Sequence, residues 1–332
     1  MADFNSHLTR RRLVQTGAVA SALAASTCVR QQAFGQSTDT DPEMDEARLA
    51  ARSTFANQLT LAVQINETGP YQFVVDTAAE QTVLADDVAS RLGLRAGRMV
   101  IMRGLSHSVP AQTVNVKKLA LGPFTHKDLN LPVLPKTLLG ADGYLGLDII
   151  SNSRITFDFG KRNIRIERPR FSPQRIYSPR TARIQATGSA GRLRITDCRV
   201  DGVIAAAIID SGAELSMGNI ALRNALVARH GHRPDLGPVV LTGVTGGDIT
   251  GRLMPINRIR MQDLIFSDCA VAIAEISLFE SWSLSQKPAL LVGMDFLRQF
   301  RAVSIDFRAQ EIRFELATAP PNPKPVVEIV RA

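Results

Sequence analysis

Two stretches decide the fold: Phe73-Val74-Val75-Asp76-Thr77-Ala78-Ala79-Glu80 and Ala207-Ile208-Ile209-Asp210-Ser211-Gly212-Ala213-Glu214. Each is an apolar run of the length of a buried strand. Each then ends on an Asp, a hydroxyl residue, two tiny residues and a Glu. A carboxylate at the end of a buried strand is costly unless something uses it. Two such ends, 134 residues apart, point to a pair.

The surrounding landmarks repeat as well. Alternating Leu59, Leu61, Val63 and Ile65 lead through a turn at 66–70 into the first stretch. A short helix pattern runs from Asp86 to about Leu92 and stops at Gly93. A hairpin pattern follows around Gly104, then strand-like runs at Val114–Leu121 and Leu129–Leu134. Tyr144-Leu145-Gly146 and the run Arg154–Phe159 come next. In the second half the same order recurs. It shows a helix pattern from Asn219 to about Arg229, a hairpin around Gly243, strand-like runs, Leu291-Val292-Gly293, and Val303–Phe307. Gly146 and Gly293 are 147 residues apart, as are Asp148 and Asp295. The chain is therefore a duplication of one mostly-β unit.

These residues resemble the aspartic proteases, in their retropepsin-like branch. The Asp-Thr/Ser-Gly motif of that family stands here as Asp76-Thr77-Ala78 and Asp210-Ser211-Gly212. Ala79-Glu80 and Ala213-Glu214 continue it in the retropepsin manner. The second hallmark, two apolar residues and a Gly before a short helix, stands at Gly146 and Gly293. The resemblance covers roughly residues 54–167 and 192–316. It implies an all-β chain of two tandem retropepsin-like (acid protease) β-barrel lobes forming a pseudo-dimer, so that one chain carries the whole site. The expected divisions are an N-terminal lobe at 54–167, a linker at 168–191, a C-terminal lobe at 192–316 and a Pro-rich tail at 317–332.

The implied chemistry is peptide-bond hydrolysis by a water activated between Asp76 and Asp210. Two carboxylates this close share one proton and titrate as a unit. Sequence alone leaves open which is acid and which is base. Thr77 and Ser211 are expected to bond across the lobe interface, and Gly212 to let the loop approach the pair without a Cβ. Glu80 and Glu214 bond either to substrate main chain or to a basic neighbour, or stay solvated. Gly104 and Gly243 are expected in flaps over a polypeptide substrate. No metal and no cofactor is called for. Ala78 departs from the family, which has Gly there. It adds a methyl group near the meeting point of the lobes, and a rival reading follows: an exported pseudo-protease that binds peptides without cutting them. A glycosidase with two acids would need stacking aromatics, and the chain has one Trp and three Tyr.

Composition fits a globular protein, with 45% hydrophobic residues. Formal net charge is +8, and Lys and Arg are scattered, so a nucleic-acid partner is not indicated. Arg10-Arg11-Arg12 followed by an apolar run from Val14 to Ala25 reads as a twin-arginine export signal over residues 1–36. The twin-arginine translocase would then be a partner, with a periplasmic or secreted destination. Residues 37–53 read as a polar lead-in. Cys198 and Cys269 remain in the exported part, either as buried thiols or as a disulfide. The expected assembly is a monomer.

Overall fold

The computed structural model describes residues 59–169, 180–188, 191–317 and 326–329. The expected signal and polar lead-in lie outside the described residues. In the first half, strands β1 (Thr60–Ile65) and β2 (Thr68–Val75) form a hairpin whose turn residues Asn66 and Glu67 take positive φ. They are followed by β3 (Val83–Ala85), helix α1 (Asp86–Arg91), β4 (Ala96–Arg103), β5 (Ser108–Leu121) and β6 (Phe124–Leu134). Helix α2 (Lys136–Leu139), β7 (Gly143–Leu145) and helix α3 (Leu147–Ile150) complete the lobe. Its seven strands run in the order β1-β2-β7-β3-β6-β5-β4, and a further β1–β5 pairing curls the sheet into a barrel.

After β8 (Arg154–Asp158), β9 (Asn163–Glu167) and β10 (Thr181–Gln185), the second half repeats the plan. It contains β11 (Arg194–Val200), β12 (Val203–Ile209), β13 (Met217–Gly218) and helix α4 (Ile220–His230), then β14 (Pro238–Thr242), β15 (Asp248–Met261) and β16 (Leu264–Ile273). Helix α5 (Ser277–Ser281), β17 (Ala289–Val292) and helix α6 (Met294–Leu297) follow, then β18 (Phe300–Asp306), β19 (Glu311–Leu316) and β20 (Val326–Ile329). Eight strands form the order β14-β15-β11-β12-β17-β13-β16-β20, closed by β15–β16. The fold is all-β with two tandem barrel-like lobes. Asn219 caps α4 by accepting the Leu222 N–H at 2.8 Å. The eleven residues of α4 against six in α1 supply part of the change in repeat spacing between the halves.

A third sheet joins the lobes in the order β10-β19-β18-β8-β9. Its central pair is β8 against β18, one strand from each half. Thr156 and Ser304 face each other there and share a hydroxyl hydrogen bond of 2.9 Å. One apolar cluster runs from Val63 and Phe73 through Ile155 and Phe157 to Val303 and Phe314, so the core is continuous across the lobe boundary.

Two segments differ from expectation. Thr181–Gln185 lies inside the stretch expected as a linker, yet pairs with β19, because Ala182 and Ile184 alternate inward. Val326–Ile329 lies inside the expected tail, yet its backbone covers the β16 edge. Cys198 and Cys269 are free and buried, and burial pushes both thiols up to about 12, so the disulfide alternative is not realised.

At the lobe junction, Asp306 is buried and receives Arg154 Nε at 2.9 Å. Arg154→Ala strands that carboxylate. It is expected to lower stability by about 2 kcal/mol, a fall in melting temperature of roughly 3 °C for a chain of this size. Thermal unfolding followed by circular dichroism measures it, and an unchanged midpoint would contradict the assigned role.

Candidate active site

Each site strand is fixed at its end by the strand beside it. β2 runs parallel to β7, and the Asp76 N–H donates to the Leu145 carbonyl at 3.0 Å. β12 runs parallel to β17, and the Asp210 N–H donates to the Val292 carbonyl at 3.0 Å. The glycine after each partner strand sits flush on the site loop. A Cβ on Gly146 would stand 2.6 Å from the Gln81 carbonyl carbon, and one on Gly293 would stand 2.7 Å from that of Leu215. This close approach is the physical reason for glycine in both landmarks, Tyr144-Leu145-Gly146 and Leu291-Val292-Gly293.

The two loops then exchange hydrogen bonds. The Thr77 hydroxyl donates to the Ile209 carbonyl at 2.8 Å, and the Ser211 hydroxyl donates to the Val75 carbonyl at 2.6 Å. The Ser211 N–H donates to Thr77 Oγ1 at 3.1 Å, and the Thr77 N–H to Ser211 Oγ at 3.3 Å. All four groups are buried. Within each loop the carboxylate accepts from the next two tiny residues. Ala78 and Ala79 N–H reach Asp76 Oδ1 at 2.9 and 2.8 Å, while Gly212 and Ala213 N–H reach Asp210 Oδ1 at 2.8 and 3.2 Å.

Asp76 and Asp210 meet closely enough for each to act on the titration of the other. Burial raises both carboxyls above the ordinary range. Asp210 is raised well above it, since the Asp76 charge adds to burial. Bonds from Ala78, Ala79 and the Asp210 carboxyl moderate the rise at Asp76. The pair titrates as a unit, with Asp210 the more strongly raised of the two. Gly212 lies against the pair: a Cβ there would stand 2.5 Å from Asp76 Cγ. Ala78 does not take a positive φ and keeps its N–H bond to Asp76, so its backbone does without a glycine.

The expected supporting residues thus converge on one point. Glu80 and Glu214 instead pair with arginines. Arg192 bonds to Glu80, and Arg298 holds Glu214 by a bidentate contact at 2.7 and 3.0 Å. Of the partners the sequence left open, the structure shows the basic neighbours. Gly104 and Gly243 lie at the tips of the β4–β5 and β14–β15 hairpins, which touch. A Cβ on Gly104 would overlap the Thr245 side chain, and one on Gly243 would stand 2.7 Å from Leu105 Cβ. The Ser277 N–H donates to the Leu105 carbonyl at 3.2 Å, and its hydroxyl donates to the Gly104 carbonyl. A cavity of about 820 Å³ borders this contact, lined by Leu105, Ser106, Ile220, Ser277 and others, but not by either aspartate.

Sequence reasoning missed the layer beneath the loops. Thr82 donates its hydroxyl to Asp148 at 2.7 Å and accepts the Gly146 N–H at 3.0 Å. Ser216 donates to Asp295 at 2.6 Å and accepts the Gly293 N–H at 2.9 Å. The signal was present, because Thr82 and Ser216 stand six residues after their aspartates in both repeats. Ser277 and Thr245 left no such trace.

Two duplicated barrels whose aspartate loops are tied to each other define a paired-carboxylate protein whose site belongs to neither half alone. The family model described as aspartyl protease matches residues 61–149 and 196–296, more than half of the chain, once in each lobe. The chain belongs to this retropepsin-like aspartyl protease family. Among curated proteins none matches it.

Two outcomes follow from this geometry. Thr77→Val leaves the Ser211 N–H without its acceptor and the Ile209 carbonyl without its donor. It is expected to destabilise the protein by about 2–4 kcal/mol, read as a lower denaturant midpoint. The second concerns pH. A carboxyl whose folded pKa is raised binds protons more tightly in the folded state. Its contribution is full below the ordinary value of 3.8 and is lost as pH rises through the folded pKa. Asp210→Asn keeps a hydrogen-bond donor but cannot ionise. Its melting temperature should match that of wild type near pH 4 and exceed it increasingly toward neutrality. A difference that does not vary with pH excludes the shared proton.

Proposed function

We propose that the protein is an aspartic endopeptidase that uses Asp76 as general base and Asp210 as general acid. The observation that carries this reading is the pair itself: two carboxyls that burial raises and that act on each other's titration, held by reciprocal bonds between the lobes. Asp76, the ionised member, takes a proton from a water held between the two groups. Asp210 donates its proton to the oxygen of the peptide carbonyl. The water oxygen attacks the carbonyl carbon, giving a neutral tetrahedral diol. Collapse returns a proton to the amine as it leaves. The touching hairpins act as flaps, and entry of a polypeptide requires the tip contacts of Gly104, Leu105 and Ser277 to open.

Ala78 gives the pair its asymmetry. Gly212 packs against Asp76, and by the pseudo-twofold relation Ala78 holds the matching place beside Asp210. Asp210 is 7% exposed whereas Asp76 is half-buried, in keeping with a methyl group that shields Asp210 from water. The same residue favours the second reading, a peptide binder whose pair no longer turns over.

Purified protein incubated with an unfolded polypeptide across acid to neutral pH separates the two. Cleavage is expected from the wild type, with a loss of at least about 10³-fold in Asp76→Asn and in Asp210→Asn. Cleavage that survives both substitutions rejects the pair. Binding without cleavage by wild type selects the second reading. Ala78→Gly hydrates Asp210, lowers its pKa and is expected to move the alkaline limb of the activity profile to lower pH. An unmoved limb would show that the methyl does not set the proton's place.

A further inference from the structure

The outer face of the C-terminal lobe carries a second feature, formed by different residues from those at the aspartates. Arg199, Arg233, Arg258, Arg260 and His230 line a cavity of about 410 Å³ together with one carboxylate, Asp201. That carboxylate is spent inside the fold. It is 5% exposed, pairs with Arg233, and accepts the N–H of Arg258 at 2.7 Å and of Asn257 at 3.2 Å. His230 donates from Nε2 to the Asp201 carbonyl at 2.6 Å. Arg260 gives its Nε–H to the Gln262 carbonyl at 2.9 Å. The guanidinium groups of Arg199 and Arg258 find no partner among the described residues.

Arg199 and Arg260 stand directly opposite each other in the β11–β15 pair. Like charges in that relation destabilise a sheet. The fold does not require them, as the duplicated lobe shows. There the β1–β5 register sets Gln64 opposite Ala120 at the matching place. Lys118, which matches Arg258, is paired with Glu67. Asn66, which matches Asp201, accepts the Lys118 N–H at 3.0 Å and so does the same backbone work without a charge. Four guanidinium groups have therefore been gathered in one lobe against the preference of the sheet. Guanidinium groups bind phosphate oxygens through paired N–H donors.

We propose that this cavity binds a phosphate group, with Arg199 and Arg258 as its principal donors and Arg233 and Arg260 completing the positive rim. The phosphate can come from a free phosphorylated ion or from an anionic lipid headgroup, and the experiment has an arm for each. Calorimetric titration of the full chain with inorganic phosphate and with pyrophosphate at low ionic strength tests the first. Sedimentation with phosphatidylglycerol vesicles, against phosphatidylcholine vesicles, tests the second.

Saturable one-to-one binding of a free ion, or retention on phosphatidylglycerol alone, is the expected result, weakening as salt is added. Arg199→Gln and Arg258→Gln are each expected to weaken it about tenfold; both side chains are exposed, so Arg258→Gln leaves the melting temperature unchanged, and Arg199→Gln, which relieves the repulsion with Arg260, leaves it unchanged or slightly raised. Arg252→Gln, an exposed arginine outside the cavity that pairs with Asp235, should leave it intact. Absence of binding in both arms overturns the proposal. So does binding that the Arg199 and Arg258 substitutions leave unchanged. None of these readouts depends on proteolysis, so the proposal stands or falls separately from the endopeptidase reading.

Discussion

Thr77 donates to a carbonyl of the C-terminal lobe, and Ser211 donates to a carbonyl of the N-terminal lobe, so each half satisfies a buried backbone group of the other. Neither lobe can close that account alone, since an unpaired buried polar group costs about 1–3 kcal/mol. The reciprocity also fixes where the strands end. Once Val75 and Ile209 are tied across the boundary, Asp76 and Asp210 have little choice but to face each other. Two carboxyls in that position repel if both ionise, and the rigid frame prevents them from escaping by moving apart. Proton sharing is the response left to them. The chemistry is thus a consequence of a structural bond pattern, with the joining sheet of β8 and β18 beneath it as the second tie.

Below the loops, the same device is used twice. A hydroxyl at Thr82 or Ser216 links a buried Asp to the N–H of the glycine after the partner strand. Burial raises both Asp148 and Asp295, and bonds from Thr82 and Ser216 oppose the rise. These carboxyls do not face the proton-sharing pair. Their work is to position the loops that carry it. They also show why a buried acid near a site is not by itself a reacting group.

The sequence disclosed the parts of the fold that rest on local pattern. Asp76 and Asp210 stood out because a carboxylate after Val74-Val75 or Ile208-Ile209 breaks an apolar run. The hairpins, α1 with its stop at Gly93, and α4 with Asn219 before it, follow from turn and cap residues. The parts that stayed hidden are set by distant partners. Thr181–Gln185 has only Ala182 and Ile184 to offer inward, and becomes a strand because β19 presents an edge to it. Val326–Ile329 follows a Pro-rich run and pairs only because β16 has a free edge. Ser277 meets the tip of the first hairpin across 173 residues, a contact for which no local spacing exists. Glu80 and Glu214 show the limit from the other side. Their place in the motif left substrate, a basic neighbour or solvent open, and only the fold brings Arg192 and Arg298, far off in sequence, to them.

Duplication within one chain permits what an assembly of two identical chains forbids. In a symmetric pair, Ala78 and Gly212 would have to be the same residue, and the two aspartates would be equivalent until something bound. Here one lobe carries a methyl group where the other carries a hydrogen, and one aspartate is buried more deeply than its partner. The two aspartates are therefore inequivalent within the chain itself. The same freedom explains the hairpin tips. Ser277 of α5 holds the first tip at Gly104 and Leu105, whereas the second tip rests near Leu138 of α2 through Gly246, without a matching hydroxyl contact. The two hairpin tips are therefore held unequally, an asymmetry that a duplication within one chain allows and a symmetric pair does not.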